Sequence, residues 1–302
     1  MKLVDLKFQP GIDKQDTAYS AGDQRKYVDS NFVRFHYGKP ERWKGWSYLP
    51  NPNKAIVGVV RDTHSWIGLD GTRYLALGTD RKLYLYSEGA IYDITPIRET
   101  ASGLSNPFTT NGTTTVTVTD ASHGALVGDF VTFDSFSSID GLDMNQEFEV
   151  ITVPSSSTYT VTHTSTASGS TTGGGGTGNA VYQINTGPTS STYGYGWGTL
   201  TWNLSTWNTP RSSSNVVVAG RNWSLDNFGE DLIATVLDGG TFIKDISGAV
   251  ASRATALSNA PTASRFSLVS TDTRHLMIFG TETTIGNTAT QDDLLFRFSD
   301  RE

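Results

Sequence analysis

The chain has 302 residues, 36% of them hydrophobic, a formal net charge of −7 and no cysteine, which excludes disulfides and thiolate metal sites. Its 31 glycines, its wealth of Thr and Ser, and the lack of any sustained 3.6-residue apolar period favour strands and turns, so helix is expected to be minor. The opening Met1-Lys-Leu-Val-Asp-Leu-Lys7 lacks the apolar core of a signal peptide and no run of roughly 18 apolar residues occurs, so a chain made in a reducing cytosol, without membrane insertion, is expected.

Residues 1–50 alternate short β-like runs with Gly and Pro, and carry nine bases against six acids before Trp46. They read as an extended arm or docking segment, with a solvated surface as the plainer reading. Residues 51–106 hold a first propeller-like part: apolar runs at Ala55-Ile-Val-Gly-Val-Val60, Ser65-Trp-Ile-Gly68, Tyr74-Leu-Ala-Leu77, Leu83-Tyr-Leu-Tyr86 and Ala90-Ile-Tyr-Asp93. Asp70-Gly71 and Glu88-Gly89 are hairpin signals between them.

Residues 107–185 read as an inserted small β-barrel or sandwich. Five short strands are expected there, at Thr113-Thr-Thr-Val-Thr-Val-Thr119, Asp129-Phe-Val-Thr-Phe133, Phe148-Glu-Val-Ile-Thr-Val153, Thr158-Tyr-Thr-Val-Thr-His163 and Ala180-Val-Tyr182. The Ser/Thr/Gly run 165–178 is expected to be a mobile loop. Residues 186–302 resume the first rhythm, with an aromatic cluster over Tyr193-Gly-Tyr-Gly-Trp-Gly198 and Trp202-Asn-Leu-Ser-Thr-Trp207 where a blade strand is due. The run Arg265-Phe-Ser-Leu-Val-Ser270 reads as a further strand.

Three copies of one pattern tie these parts together. An apolar strand runs into a Gly/Asp/Thr turn and then an aromatic-rich strand: Leu75-Ala-Leu-Gly-Thr-Asp80 with Lys82-Leu-Tyr-Leu-Tyr86; Leu232 to Gly240 with Thr241-Phe-Ile243; Leu276 to Glu282 with Leu294-Leu-Phe-Arg-Phe298. With the 79 residues of the insert set aside, the spacing of the first two is about twice the 43 residues between Ile233 and Leu276. A period near 40 residues built from antiparallel strands is that of β-propeller blades. The expected fold is therefore all-β: an incomplete or split propeller-like scaffold of about four blade-like units, carrying an inserted barrel or sandwich. The chain ends on a strand, so the last unit is expected to be shortened or completed by other material.

Charge marks the insert sharply. It has no Lys or Arg and seven acids, Asp120, Asp129, Asp134, Asp140, Asp143, Glu147 and Glu149, whereas the rest of the chain is neutral. Such a balance argues against DNA gripping, which needs basic patches. No catalytic, cofactor-binding or metal-ligating residue can be nominated. Gly173-Gly-Gly-Gly-Thr-Gly178 matches G-x-G-x-x-G, but a strand follows where a dinucleotide site needs a helix. The histidines His36, His64, His123, His163 and His275 are scattered and form no HExxH or triad pattern. The stretch Asp140-Gly-Leu-Asp-Met-Asn-Gln-Glu147 gathers oxygen ligands without calcium-loop spacing, and reads as a solvated acidic loop. Sequons at Asn111, Asn203 and Asn222 carry little weight without a secretory route.

Several motifs together resemble bacteriophage tail proteins of the nozzle, or tail tubular protein B, type. They are Gly11-Ile-Asp-Lys14, Asn31-Phe-Val-Arg-Phe35, Gly38-Lys-Pro-Glu41, Gly45-Trp46, Leu75-Ala-Leu-Gly-Thr-Asp80, Asp93-Ile-Thr-Pro96, Trp223-Ser-Leu-Asp-Asn-Phe-Gly-Glu-Asp-Leu232, Leu268-Val-Ser270 and Asp292-Asp-Leu-Leu-Phe-Arg-Phe-Ser-Asp300. The insert, with Asp120-Ala-Ser-His-Gly-Ala-Leu-Val-Gly-Asp129, is similar to a β-module of phage particle proteins. The resemblance implies a structural virion component without enzymatic activity or cofactor, made in the host cytoplasm. It would form a homo-oligomeric, sixfold ring at the end of a short tail, next to adaptor and fibre proteins, through which DNA passes during ejection. The alternative is a carbohydrate-binding or capsule-depolymerising propeller, in which exposed aromatics such as Trp197 and Trp202 stack on sugar rings.

Overall fold

Short runs of alternating apolar and polar side chains recur along the described residues, and these runs form antiparallel strands. The computed structural model describes residues 9–43, 45, 56–187 and 220–300, in two compact units, Met1–Pro50 and Asn51–Glu302. The aromatic cluster 193–207, expected as part of a fourth blade-like unit, lies outside the described residues, as do Met1, Lys7 and Trp46.

The first unit holds one helical turn and a half, α1 (Ala18–Asp23), capped by the Thr17 hydroxyl, which accepts from the Ser20 amide. A hairpin follows, β1 (Val33–His36) with β2 (Lys39–Arg42). Its turn residues Tyr37 and Gly38 both have positive φ, the conformation that a two-residue type I′ turn demands. Arg34 and Glu41 pair across the two strands at 3.1 Å. Among the described residues of this unit Ala21 is the sole fully buried apolar side chain, while Tyr19, Phe32, Tyr37 and Trp43 are exposed.

The second unit opens with a four-stranded antiparallel meander: β3 (Val60–Ile67), β4 (Arg73–Thr79), β5 (Leu83–Ser87) and β6 (Ala90–Asp93). The β5–β6 turn at Glu88-Gly89 is again type I′, with positive φ at both residues. The chain then enters an eight-stranded sheet: β7 (Ile97–Ser105), β8 (Phe108–Thr109), β9 (Thr115–Thr119), β10 (Phe130–Asp134), β11 (Glu147–Ser155), β12 (Thr158–Thr162), β13 (Thr172–Gly174) and β14 (Thr177–Gln183). A second meander follows, β15 (Trp223–Phe228), β16 (Asp231–Val236), β17 (Thr241–Lys244) and β18 (Thr255–Ala256). Last comes a three-stranded sheet, β19 (Phe266–Val269), β20 (Leu276–Phe279) and β21 (Phe296–Phe298). The fold is all-β. Each copy of the repeated sequence pattern is an adjacent antiparallel strand pair: β4/β5, β16/β17 and β20/β21.

The three small sheets stack face to face in chain order. Trp66, Tyr74, Leu83 and Leu85 of the first pack against Trp223, Leu225, Leu232 and Ala234 of the second. The indole of Trp223 lies where a Cβ on Gly78 would sit (2.7 Å), and its Nε1–H donates to the Thr79 carbonyl at 2.8 Å. On the other face of the second sheet, Ile233 and Ile243 meet Leu276, Ile278 and Val269 of the third. Neighbouring propeller blades use the same stacking.

The eight-stranded sheet is a small rolled barrel with its own core of Phe108, Phe133, Phe136, Phe148, Tyr159 and aliphatic neighbours. β7 runs on into β8, and β13 into β14. The two continuous strands stay paired across the bend, from Thr177 opposite Ser105 to Gly174 opposite Phe108. That bent ladder forms one corner of the barrel, and β11, paired to both β10 and β12, forms another. The barrel takes in β7, which precedes the charge break at Pro107.

This geometry corrects the expectation of a mobile loop over 165–178. The run contains β13, Ala167 is buried, and Asp140 anchors it: its carboxylate accepts from the Thr110 hydroxyl and from the Thr171 hydroxyl at 3.0 Å. The glycines are needed for wrapping. A Cβ at Gly175 would meet the Phe108 ring at 2.5 Å, and one at Gly178 the Asp134 carbonyl at 2.5 Å. Because the Asp134 backbone cannot swing aside, Gly178→Ala should destabilise the barrel by about 1–3 kcal/mol. Chemical denaturation followed by far-UV circular dichroism measures this, and an unchanged midpoint would contradict the corner geometry.

Candidate interaction surface and the buried charge junction

A cluster of buried charged groups lies where the barrel meets the first meander. Lys82, at the start of β5, is fully buried, and its ammonium donates to Asp93 Oδ2 at 2.9 Å and to Glu147 Oε1. It also lies 4.3 Å from the centre of the Phe130 ring, a cation–π contact. Asp93 Oδ1 accepts from the Arg253 guanidinium at 2.8 Å and from the Thr95 hydroxyl at 2.7 Å, while Gln183 donates to Glu147 Oε2 at 2.9 Å. One ammonium therefore joins the first meander, two barrel strands and, through Asp93 and Arg253, the second meander.

A second cluster lies beside it. Arg221 donates to the Asp80 carbonyl at 3.0 Å and to Asn185 Oδ1 at 3.1 Å, and Asn185 in turn donates to Asp129 at 2.8 Å. Burial, aided by the charges of Arg81 and Arg61, brings Arg221 down to about 9 against the pull of Asp129 and Asp80. Burial likewise pushes the Asp129 carboxyl up.

These contacts explain where the insert's acids go. Glu147 and Glu149 pair with Lys82 and Arg81, Asp120 accepts from the buried Tyr182 hydroxyl at 2.6 Å, and Asp129 and Asp140 are held as described. Asp134 and Asp143 remain exposed. The charge break in the sequence thus reports internal ion pairing as much as an outward acidic face. The stretch 140–147 corrects the reading of a solvated acidic loop: Leu142 and Met144 are buried core residues, and Glu147 is an anchor.

The histidines serve as structural pins. His123 Nδ1 accepts from the Ala125 amide at 3.0 Å while its Nε2 faces the Ser155 carbonyl at 3.2 Å. His163 repeats the device with the Ser165 amide and the Asp143 carbonyl. In both, a neutral ring with its proton on Nε2 satisfies the two partners. His64 contacts Asn227 at 2.8 Å, His275 the Ser299 carbonyl at 2.9 Å, and His36 pairs with Glu41. Among the described residues no group of three or more His, Asp or Glu is placed to hold a metal ion. The Gly173–Gly178 motif lies at the barrel corner with strands on both sides. Among the described residues no helix is long and apolar enough to cross a membrane.

The third sheet carries a surface that sequence reasoning did not single out. Cross-strand register sets Phe266 opposite Phe279 and Phe279 opposite Phe296, in one row over three strands. Leu268, Met277 and Phe298 form the next row on the same face. Ring centroids are 6.0 Å apart for Phe266–Phe279, 5.3 Å for Phe279–Phe296 and 5.8 Å for Phe296–Phe298. Alternate apolar positions in 266–268, 277–279 and 296–298 were the available signal, but pairing was needed to align them. On the opposite face an apolar groove of about 670 Å³ runs between Leu257, Leu276, Ile278 and β21. Beside it Glu282, buried, accepts from the amides of Thr262 (2.8 Å), Ala263 (2.6 Å) and Gly286 (2.7 Å), and fixes the long β20–β21 connection.

Comparison with known proteins adds little. No family model matches the chain, and no curated protein matches it. Among solved structures, one titled phage phi92 endosialidase superposes with a TM-score of 0.24 and 15% identity over 79% of this chain. The alignment spans 37% of that structure's chain. At that level the likeness assigns neither activity nor ligand.

The junction has a testable energy and pH signature. Burial alone would raise the Asp93 carboxyl, but the charges of Lys82 and Arg253 and the Thr95 hydroxyl outweigh it and hold it below the ordinary carboxylate range. A carboxyl depressed in the folded state contributes stability above its unfolded value near 3.9 and loses that contribution as pH falls through the folded one. The melting temperature should therefore be flat in this term above about pH 5 and fall below about pH 4, with a shallower fall in Asp93→Asn. Lys82→Met removes the shared cation from the buried Asp93 and the half-buried Glu147 and should cost about 3 kcal/mol at neutral pH, read by denaturant titration.

Proposed function

We propose that this protein is a structural component of a bacteriophage tail, one segment of a ring-shaped nozzle or tail tube through which DNA leaves the particle. The observation that carries the reading is the mounted barrel: a module whose single basic residue, Arg98 on β7, is held by Glu99 and the His123 carbonyl, clamped to a stack of β-sheets by the Lys82 junction. Rows of hydroxyls cover part of its outer face, with Thr172, Thr109, Thr117, Thr160 and Thr152 aligned across five strands. A wall of that kind offers nothing to displace counterions from phosphates, so DNA slides past without adhering. The tail-protein motifs of the sequence support the same assignment, and the arm-like first unit, with exposed Tyr19, Phe32, Tyr37 and Trp43, is suited to docking on a neighbouring tail component.

In this reading the chain is a non-enzymatic virion protein that assembles with its own copies and with adaptor and fibre proteins. Negative-stain images of the purified chain should show rings, antibodies should label the tail end of intact virions, and the chain should not retain duplex DNA on filters at about 50 mM salt. A monomer absent from virions would overturn the assignment. Release of reducing sugar from host capsule would replace it with the depolymerase alternative.

A further inference from the structure

We propose that the Lys82–Glu147 ion pair is the reactant of a self-catalysed condensation, and that the folded chain forms an isopeptide bond from Lys82 Nζ to Glu147 Cδ, joining β5 to β11. Such a bond needs an amine, a carboxyl group in contact with it, a second carboxylate to move protons, and a site closed to water. The junction supplies each of these. Lys82 is fully buried, its ammonium touches Glu147 Oε1 and lies 2.9 Å from Asp93 Oδ2, and the Phe130 ring covers it at 4.3 Å. The surroundings of the two carboxylates divide their roles. Asp93 Oδ1 is held by the Arg253 guanidinium at 2.8 Å and the Thr95 hydroxyl at 2.7 Å, so Asp93 stays ionised and serves as the base. Among the described residues Glu147 meets no cation but Lys82, and its Oε2 accepts from the neutral Gln183 amide at 2.9 Å, so Glu147 is the group that takes the amine.

The step balances within these residues. Lys82 passes one ammonium proton to Glu147 Oε1, which leaves a neutral amine beside a neutral acid. The nitrogen lone pair forms the C–N bond at Cδ, and the charge that develops on Oε2 is met by the Gln183 amide. Asp93 Oδ2 takes a second proton from the nitrogen and returns it to the Oε1 hydroxyl. The Cδ–Oε1 bond then breaks, water leaves on the half-buried Glu147 side, and Asp93 is a carboxylate again. Two effects drive the bond forward. Groups held in contact react as though present at roughly 10⁵–10⁸ M. Condensation also turns a buried cation and its partner carboxylate into one neutral amide, which removes the desolvation penalty of both. Arg253 and Thr95 remain on Asp93 afterwards, so its charge stays matched and its acid sensitivity is kept.

The bond forms within one chain, so it stands independently of the nozzle reading. Intact-mass spectrometry of the purified, denatured full chain should read one water below the mass of its sequence. Fragmentation of a chymotryptic digest should give a branched peptide joining Lys82 to Glu147. The bond closes a loop between residues 65 positions apart, so the denatured wild-type chain should run ahead of Lys82→Arg on a denaturing gel. Lys82→Arg keeps the cation but has no amine to condense, and should show its full sequence mass. The same variant separates the bond from a succinimide at an Asp-Gly step such as Asp70-Gly71, which would lose a water with or without Lys82. In freshly synthesised chain, Asp93→Asn should slow the mass loss by about 100-fold or more, as removal of a proton-transfer group does. Wild-type chain that keeps its full sequence mass after prolonged incubation at neutral pH overturns the proposal, whatever the variants do. A branch at Asp93 in place of Glu147, or a water loss that persists in Lys82→Arg, overturns it as well.

Discussion

A single buried ammonium group ties the barrel to the first meander. Lys82 has no access to water, so its charge must be met inside the protein, and it is met by Asp93 from its own sheet and Glu147 from the barrel. A buried cation without partners would cost several kcal/mol. Lys82 therefore depends on both carboxylates, and through Glu147 it fixes the barrel against the first meander. Arg253 extends the same constraint to the second meander through Asp93 Oδ1.

The rest of the architecture follows from how sheets cover one another. Each meander is two-faced, and each face needs an apolar partner. Stacking the first on the second and the second on the third satisfies four of the six faces, with Trp223 as the central wedge and Gly78 the space it requires. The barrel avoids the problem by rolling its strands around their own core, with glycines at the corner where the ladder must bend over Phe108 and Phe136. Charge, hydroxyl and aromatic surfaces are thereby sorted: ions to the neck, threonines to the barrel's outer rows, phenylalanines to the end of the stack.

Much of the strand pattern was legible beforehand. The repeated pairs at 75–86, 232–243 and 276–298 carry their alternation within a few residues, and the barrel strands around Val116, Val131, Phe148, Tyr159 and Ala180 do the same. The run 165–178 was misread because its small polar residues have the composition of a linker. Its order comes from Asp140, some thirty residues earlier, and from rings that only glycine lets the backbone approach. The acids of the insert were counted correctly, but their destinations were invisible, because Arg81 and Lys82 precede Glu149 and Glu147 by 68 and 65 residues.

The amino-acid sequence by itself determined the all-β class, the positions of most strands, the hairpin turns and the confinement of basic residues to the parts outside 107–185, since each of these depends on neighbours along the chain. Only the tertiary structure decided which sheet faces meet, where the barrel's charges are spent and which aromatic rows stay open. Those outcomes depend on pairings between residues far apart in sequence, whose register aligns Phe266, Phe279 and Phe296 and brings Lys82 to Glu147, and no local pattern encodes that alignment.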